Sequence, residues 1–193
     1  MKLKKLVLTG AAGRLGSYLH EPLSKMCDAL VSTDIVDDIG TPYDGETYAK
    51  GDLASLEDTM RVLEGADMVV HMRAYADEGP FAKLLGPNFV GAYNIWEAAY
   101  QHGLKRVVYG SSIHAIGMHP KNEFIDIGVR HRPGTCYGLI KCFAEDLGSM
   151  YWDKHGLKSV HMRILSCAQV TNAHALSPTM TQSKWCSAAS KHL

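Results

Sequence analysis

Short apolar runs alternate along the chain with longer stretches in which apolar residues recur at helical spacing. The apolar runs predict strands at 3–10, 29–35, 67–72, 105–112 and 157–165. The stretches between them predict helices at 13–26, 55–66, 88–103 and 136–156. Strands separated by helices favour a parallel sheet covered on both faces, so we expect an α/β fold with a doubly wound sheet.

Several of these helices carry signals at their ends. Ser55 is suited to cap a helix N-terminus, and Glu57 and Asp58 follow it in the first turn. Gly103 and Gly156 are suited to end two further helices. After residue 167 the chain is rich in Ser, Thr, Ala and Gln without clear periodicity. We therefore expect one domain over 1–167, followed by a tail of loop or weak helix over 168–193.

Composition excludes several classes of partner. Twenty basic and twenty acidic residues cancel, so no general attraction to nucleic acid or to anionic membranes is expected. No apolar run reaches the length of a membrane span, and the basic N-terminus lacks the apolar core of a signal peptide, which favours a cytoplasmic location. Five scattered cysteines without a CxxC pair indicate reduced thiols. Ten histidines show no metal-ligand spacing, so no metal site is expected.

The first strand runs directly into the glycine-rich sequence TGAAGRLG. Such a sequence is often only a tight turn, but here it lies between a predicted strand and a predicted helix. In that position the backbone can approach a pyrophosphate, and the helix N-terminus supplies free N–H groups. The sequence therefore predicts a Rossmann-like domain whose phosphate loop comprises Gly10, Gly13, Arg14, Leu15 and Gly16.

An acidic residue follows the second strand, where a dinucleotide would place its adenosine ribose. Asp34, beside Ile35, can accept hydrogen bonds from the ribose hydroxyls and would repel a 2′-phosphate. NAD is therefore favoured over NADP as the cofactor. Further cofactor contacts are expected from two stretches that fit the course of a dinucleotide, GDLAS and VVHMRA. Their candidate residues are Asp52, Leu53, Met72, Arg73 and Ala74.

Six stretches together resemble a known family. TGAAGRLG, GDLAS, VVHM, NFVGAYN, SSIHAIG and YGLIKCFAEDL occur in the order and spacing of the extended short-chain dehydrogenases/reductases. More narrowly, the chain resembles the uronate dehydrogenases from about residue 3 to residue 167. The resemblance implies NAD-dependent oxidation of galacturonate or glucuronate, a small-molecule sugar acid, at the anomeric hydroxyl to an aldaric acid lactone.

The resemblance also implies a role for individual residues. Tyr137 matches the general base, and Lys141 matches the lysine that lowers the pKa of that tyrosine and grips the nicotinamide ribose. Free tyrosine has a pKa near 10, and a nearby ammonium favours the phenolate. Ser112 matches the serine that binds the reacting oxygen. Further implied cofactor contacts are Asn88, Ser111 and Ile164, and the implied substrate contacts are Ala76, Ser112, Ile113, His114, Tyr137 and Ser166.

The chain departs from the family pattern mainly on the substrate side. Arg73 and Ala74 stand where the family has two glycines, and Ala76 stands where it has a serine. Ile113, Ile140 and Leu165 replace asparagine, serine and glycine, and the arginine expected to hold the sugar carboxylate has no match near Ala175. The helices at 88–102 and 137–155 resemble those of a family dimer interface, so a homo-oligomer is expected. The tail over 168–193 would be a shortened remnant of the substrate-binding region.

Two other functions stay open from the sequence. One is a different reaction of the extended family, such as that of a nucleotide-sugar epimerase or dehydratase. The other is a non-catalytic dinucleotide-binding protein, which would need the glycine loop but not a Tyr–Lys pair.

Overall fold

Six parallel strands form the sheet in the computed structural model, which describes residues 2–120 and 122–165. Their order across the sheet is β3-β2-β1-β4-β5-β6, so successive strands are added on one side of β1 up to β3 and on its other side from β4 onward. This is the Rossmann-like arrangement predicted from the sequence. The strand bounds are Leu3–Thr9 (β1), Cys27–Thr33 (β2), Glu46–Tyr48 (β3), Met68–His71 (β4), Arg106–Ser112 (β5) and Lys158–Ile164 (β6).

Successive strand residues contribute to two separate apolar layers. Val7 of β1 packs in one layer with Ile95 and Trp96, whereas Leu6 and Leu8 pack in the other. This alternation follows from the period of two in a β-strand. Both faces of the central strands are therefore apolar, as a parallel sheet requires.

The helices confirm most of the predicted elements. Ser55 accepts a hydrogen bond from Asp58 N at 3.2 Å and so caps α2 as predicted. Gly103 and Gly156 have φ angles of 67° and 69°, the left-handed conformation that ends a helix. The α-helices are His20–Ser24 (α1), Leu56–Leu63 (α2), Phe81–Leu84 (α3), Gly91–Gln101 (α4) and Cys136–His155 (α5).

Two predicted helices have different bounds in the structure. The stretch 13–26 is not one helix but a 3-10 turn, Gly16–Tyr18, followed by the five-residue α1. Pro22 has no N–H to donate, and a helix tolerates proline only in its first turn. The regular helix α1 therefore begins at His20, two residues before Pro22. The helix predicted from residue 88 becomes regular only at Gly91, because a π-helical segment, Leu85–Val90, with Pro87 in it, precedes α4.

The short strand β3 was not predicted. Its first residue, Glu46, is charged yet 7% exposed, which conceals the strand in the hydrophobic pattern. The carboxylate accepts a hydrogen bond from Ser32 Oγ, contacts His20 Nδ1 at 2.5 Å and accepts one from Tyr43 N at 2.9 Å. Burial of this acid is therefore stabilised by hydrogen bonds that no local pattern reveals.

Within the described part of the chain, no helix combines the length and apolar character needed to cross a membrane. In the same residues, Cys27, Cys136 and Cys142 are free thiols. The predicted tail over 168–193 lies outside the described residues.

Candidate active site

The carboxyl ends of four neighbouring strands place candidate residues along one edge of the sheet. Gly10 directly follows β1, Asp34 follows β2, and Arg73 lies two residues beyond β4. Ser112 is the last residue of β5. The central pair, β1 and β4, is where the strand order reverses, and ligands of open α/β sheets bind at such a point.

The glycine loop packs too closely for side chains at two of its positions. Gly10 has a φ of 72°, and a Cβ there would lie 2.6 Å from Arg73 N. A Cβ at Gly16 would overlap the carbonyl oxygen of Gly10. Gly13, by contrast, is exposed, and a Cβ there would meet only Gly10 O, at 3.1 Å. The loop therefore leaves space beside Gly13 for the close approach of a pyrophosphate, although the Gly13 N–H itself donates to Gly10 O at 3.0 Å.

Asp34 accepts a hydrogen bond from this loop and lies close to the Arg73 guanidinium. Its Oδ2 accepts from Ala12 N at 3.1 Å, and its Oδ1 accepts from Ile35 N at 2.8 Å. Arg73 Nε lies 3.8 Å from Asp34 Oδ1. The carboxylate is thus fixed at the edge of the glycine loop, in the position from which a ribose is bound in dinucleotide folds.

Three other candidate cofactor residues have clear structural contacts. Asn88 is buried, and its side-chain amide forms two hydrogen bonds with the backbone of Tyr75. Oδ1 accepts from Tyr75 N at 2.7 Å, and Nδ2 donates to Tyr75 O at 3.1 Å. Leu53 is buried in the core, and its carbonyl accepts from Asn94 Nδ2 at 2.8 Å. Asp52 accepts from Ala54 N at 3.0 Å. These contacts shape the loops beside the site, and direct contact with a cofactor stays a prediction for all three.

Lys141 is buried beneath the candidate base. Its side chain projects from α5 toward β5, where Nζ donates to Gly110 O at 2.7 Å. The same atom lies 5.2 Å from the centre of the Tyr137 ring and 4.6 Å from that of Tyr109. Burial lowers the Lys141 pKa from 10.5 to about 7, while Glu145 acts in the opposite direction. The predicted Tyr–Lys pair is therefore brought together on one face of α5.

Ser112 and Tyr137 meet on either side of His114. Ser112 Oγ lies 2.9 Å from His114 Nδ1 and accepts from His114 N at 3.2 Å, which caps a 3-10 turn, Ile113–Ile116. The imidazole packs edge-on against the Tyr137 ring, with the ring centres 5.6 Å apart. The side chains of Ser112 and Tyr137 therefore both contact His114, whose imidazole is exposed.

The sequence did not predict the role of an acid, Glu78, that binds the first residues of α5 from the loop after β4. Glu78 accepts from Cys136 N at 3.0 Å and from Tyr137 N at 3.2 Å. These backbone hydrogen bonds hold the Glu78 pKa below its usual value. The carboxylate satisfies N–H groups that a helix N-terminus leaves free, at the residue carrying the candidate base. No local signal marks Glu78, because it precedes the helix by 58 positions.

A second missed residue, Glu145, organises the opposite side of the site. Its carboxylate accepts from Ser111 Oγ at 2.5 Å and Arg163 Nη2 at 2.7 Å, and it lies 2.9 Å from His131 Nε2. Burial opposes its ionisation, but these partners prevail and hold the Glu145 pKa at about 2. One signal was available, because residues 137, 141 and 145 follow one another at the four-residue spacing of a helix face.

The remaining candidates lie around this cluster or outside it. Ile164 is the last residue of β6 and pairs in register with Ser112. Ala76 is exposed in the loop after β4, and Ile113 is half-buried. Ser166 lies outside the described residues. The loops at the sheet edge hold Arg14, Leu15, Ile35, Met72 and Ala74.

Across residues 2–120 and 122–165 no cluster of three or more His, Cys, Asp or Glu side chains is arranged to hold a metal ion. The fold and the glycine loop thus define the class of protein: an α/β protein with a Rossmann-type dinucleotide-binding domain. The sequence profile of the NAD dependent epimerase/dehydratase family matches residues 6–178. The chain belongs to this family.

Individual relatives are uronate dehydrogenases. The enzyme of Pseudomonas syringae pv. tomato is 41% identical over 160 residues, which are 83% of this chain and 58% of that protein. The crystal structure of uronate dehydrogenase from Agrobacterium tumefaciens has a TM-score of 0.87 and 36% identity, over 97% of this chain and 70% of that one. A tyrosine-to-alanine mutant of the Agrobacterium enzyme, complexed with NAD, has a TM-score of 0.76 and 38% identity, over 81% and 58% of the two chains. The chain thus spans less than two thirds of the Pseudomonas relative.

Proposed function

We propose that the protein catalyses NAD-dependent oxidation of a uronic acid at its anomeric hydroxyl, which gives an aldaric acid lactone. The observation that carries the proposal is the cluster of Tyr137, Lys141 and Ser112 at the sheet edge that also holds the glycine loop. Sequence identity of 36–41% to uronate dehydrogenases supports galacturonate or glucuronate as the substrate.

The residues present fit a dinucleotide. The exposed glycine loop around Gly13 would hold the pyrophosphate, and Asp34 would hold the adenosine ribose. Lys141, beside Tyr137, would reach the nicotinamide ribose. When bound, NAD supplies a nicotinamide ring that accepts the hydride from the sugar carbon.

Tyr137 would take the proton of the anomeric hydroxyl. Its phenolate is favoured by the Lys141 ammonium below its ring, since an opposite charge stabilises an anion. Because the Lys141 pKa is about 7, this ammonium is only partly populated near neutral pH, and a phenolate beside it would favour the charged form.

Ser112 would hold the oxygen that loses the proton. Its hydroxyl lies at the end of β5 and is oriented by two contacts with His114, one to the backbone N–H and one to Nδ1. A rigid donor placed where negative charge develops stabilises the transition state without reorganisation. His114 is exposed and stands at the open side of the cluster, where a polar sugar hydroxyl would pack.

Turnover with a panel of sugars tests the proposal. We expect NADH absorbance to grow when the protein is mixed with NAD+ and galacturonate or glucuronate, and not with the corresponding neutral sugars or with nucleotide sugars. Epimerisation of a nucleotide sugar without net NADH formation would instead establish the alternative reaction of the family. NAD+ binding without turnover of any of these compounds would favour the non-catalytic alternative.

A further inference from the structure

Arg73 contacts the carboxylate that is expected to select the cofactor. Its Nε lies 3.8 Å from Asp34 Oδ1, with the Arg73 side chain 23% exposed and that of Asp34 7% exposed. The backbone of Arg73 also forms a wall of the glycine loop, against Gly10. Arg73 therefore contacts both the glycine loop, which is expected to bind the pyrophosphate, and Asp34, which is expected to bind the ribose.

An isolated carboxylate at Asp34 would discriminate strongly between two cofactors. It accepts hydrogen bonds from a ribose 2′-hydroxyl but repels a 2′-phosphate, which carries between one and two negative charges near neutral pH. A guanidinium within 4 Å of the carboxylate offsets that repulsion. It also offers planar N–H donors, whose geometry suits phosphate oxygens.

The Nη donors of Arg73 have no hydrogen-bond acceptor among the described side chains. Nε is the guanidinium atom closest to Asp34, and within the described residues the Nη atoms donate no side-chain hydrogen bond. Two further acids, Asp37 and Asp38, lie near this end of β2. The charge of Asp37 is balanced by Lys50, whose Nζ lies 2.5 Å from Asp37 Oδ1. Asp38 remains as one exposed negative charge, and Arg14 as one exposed positive charge.

We propose that Arg73 enables this site to accept NADP as well as NAD, by neutralising Asp34 and binding the 2′-phosphate. The inference rests on the proposed dinucleotide function and adds a residue that sets cofactor specificity. It also changes the expectation from the sequence, in which Asp34 favours NAD over NADP.

Calorimetric titration of the full chain with NAD+ and with NADP+ tests this role. For the unsubstituted protein we expect the two Kd values to lie within about tenfold of each other. Arg73→Gly and Arg73→Gln should each raise the ratio of the NADP+ Kd to the NAD+ Kd by at least about tenfold. Arg73→Lys, which keeps the charge without the planar fork, should raise the ratio less.

Several outcomes would overturn the proposal. If the ratio of the NADP+ Kd to the NAD+ Kd in both uncharged variants stays within about twofold of the ratio in the unsubstituted protein, Arg73 has no role in specificity. The proposed binding of NAD would stand in that case. If both variants bound each nucleotide at least about tenfold more tightly, with an unchanged ratio, Arg73 would be an obstruction instead. Failure of the unsubstituted protein to bind either nucleotide would overturn the proposed function together with this inference. Thermal unfolding of each variant verifies that the fold is retained.

Discussion

Replacement of Tyr137 by phenylalanine is expected to lower kcat for uronate oxidation by on the order of 10²- to 10⁴-fold. The phenolic oxygen is the group that would accept the substrate proton, and the ring itself packs against His114 and over Lys141. Phenylalanine keeps that packing and removes only the oxygen. NAD+ affinity should therefore change much less than kcat, which initial-rate kinetics and nucleotide titration can separate.

Tyr100→Phe is the matched control for this experiment. Tyr100 is 44% exposed on α4, and its ring stacks on His155, far along α5 from Tyr137. Its kcat should stay within about twofold of the unsubstituted value, since exposed positions tolerate such changes. A Tyr137→Phe variant with more than a tenth of the original kcat would show that another group takes the proton.

Replacement of Glu145 by alanine is expected to lower the free energy of unfolding by about 2–4 kcal/mol. The change removes the partner of Ser111, Arg163 and His131 at once and leaves a guanidinium with only 21% of its side chain exposed. Urea unfolding followed by fluorescence measures the loss. Glu123→Ala, an exposed acid in the loop before α5, should change stability by less than about 0.5 kcal/mol.

The stability that the Glu145 carboxylate contributes to the fold is expected to decrease at acidic pH. The Glu145 pKa is held at about 2 in the folded chain, below its ordinary value of 4.5. The ionised carboxylate therefore contributes its full stability above pH 4.5, and this contribution is lost as the pH falls toward 2. The difference between the unsubstituted protein and Glu145→Gln should shrink over that range. A difference that stays constant down to pH 3 would contradict the assigned network.

The elements that depend on local pattern were predictable from the sequence. Five strands followed from apolar runs, and Ser55, Gly103 and Gly156 marked helix ends that the structure confirms. The shared helix face of Tyr137 and Lys141 was also predictable from their four-residue spacing, whereas their roles as base and activating cation were implied by the family resemblance. These features need only neighbours within a few residues.

Features that depend on contacts between distant segments were not predictable. Glu145 is stabilised by β5, β6 and the loop before α5, and Glu78 reaches α5 from the loop after β4. The strand β3 was hidden because its acid, Glu46, is buried against His20 and Ser32. The ion pair of Arg73 with Asp34 joins the ends of two strands that are not adjacent in the sheet. Apart from Tyr43, which is three residues from Glu46, the partners in these contacts lie at least 14 positions away along the chain.

Transfer of deuterium from the anomeric carbon tests the central claim most directly. Galacturonate labelled with deuterium at C1 would be incubated with NAD+ and the protein, and the reduced nucleotide examined by NMR. The proposed reaction predicts one deuterium at C4 of the nicotinamide and none in the lactone product. Reduced nucleotide carrying only protium, or no reduced nucleotide with either uronate, would contradict oxidation at the anomeric hydroxyl.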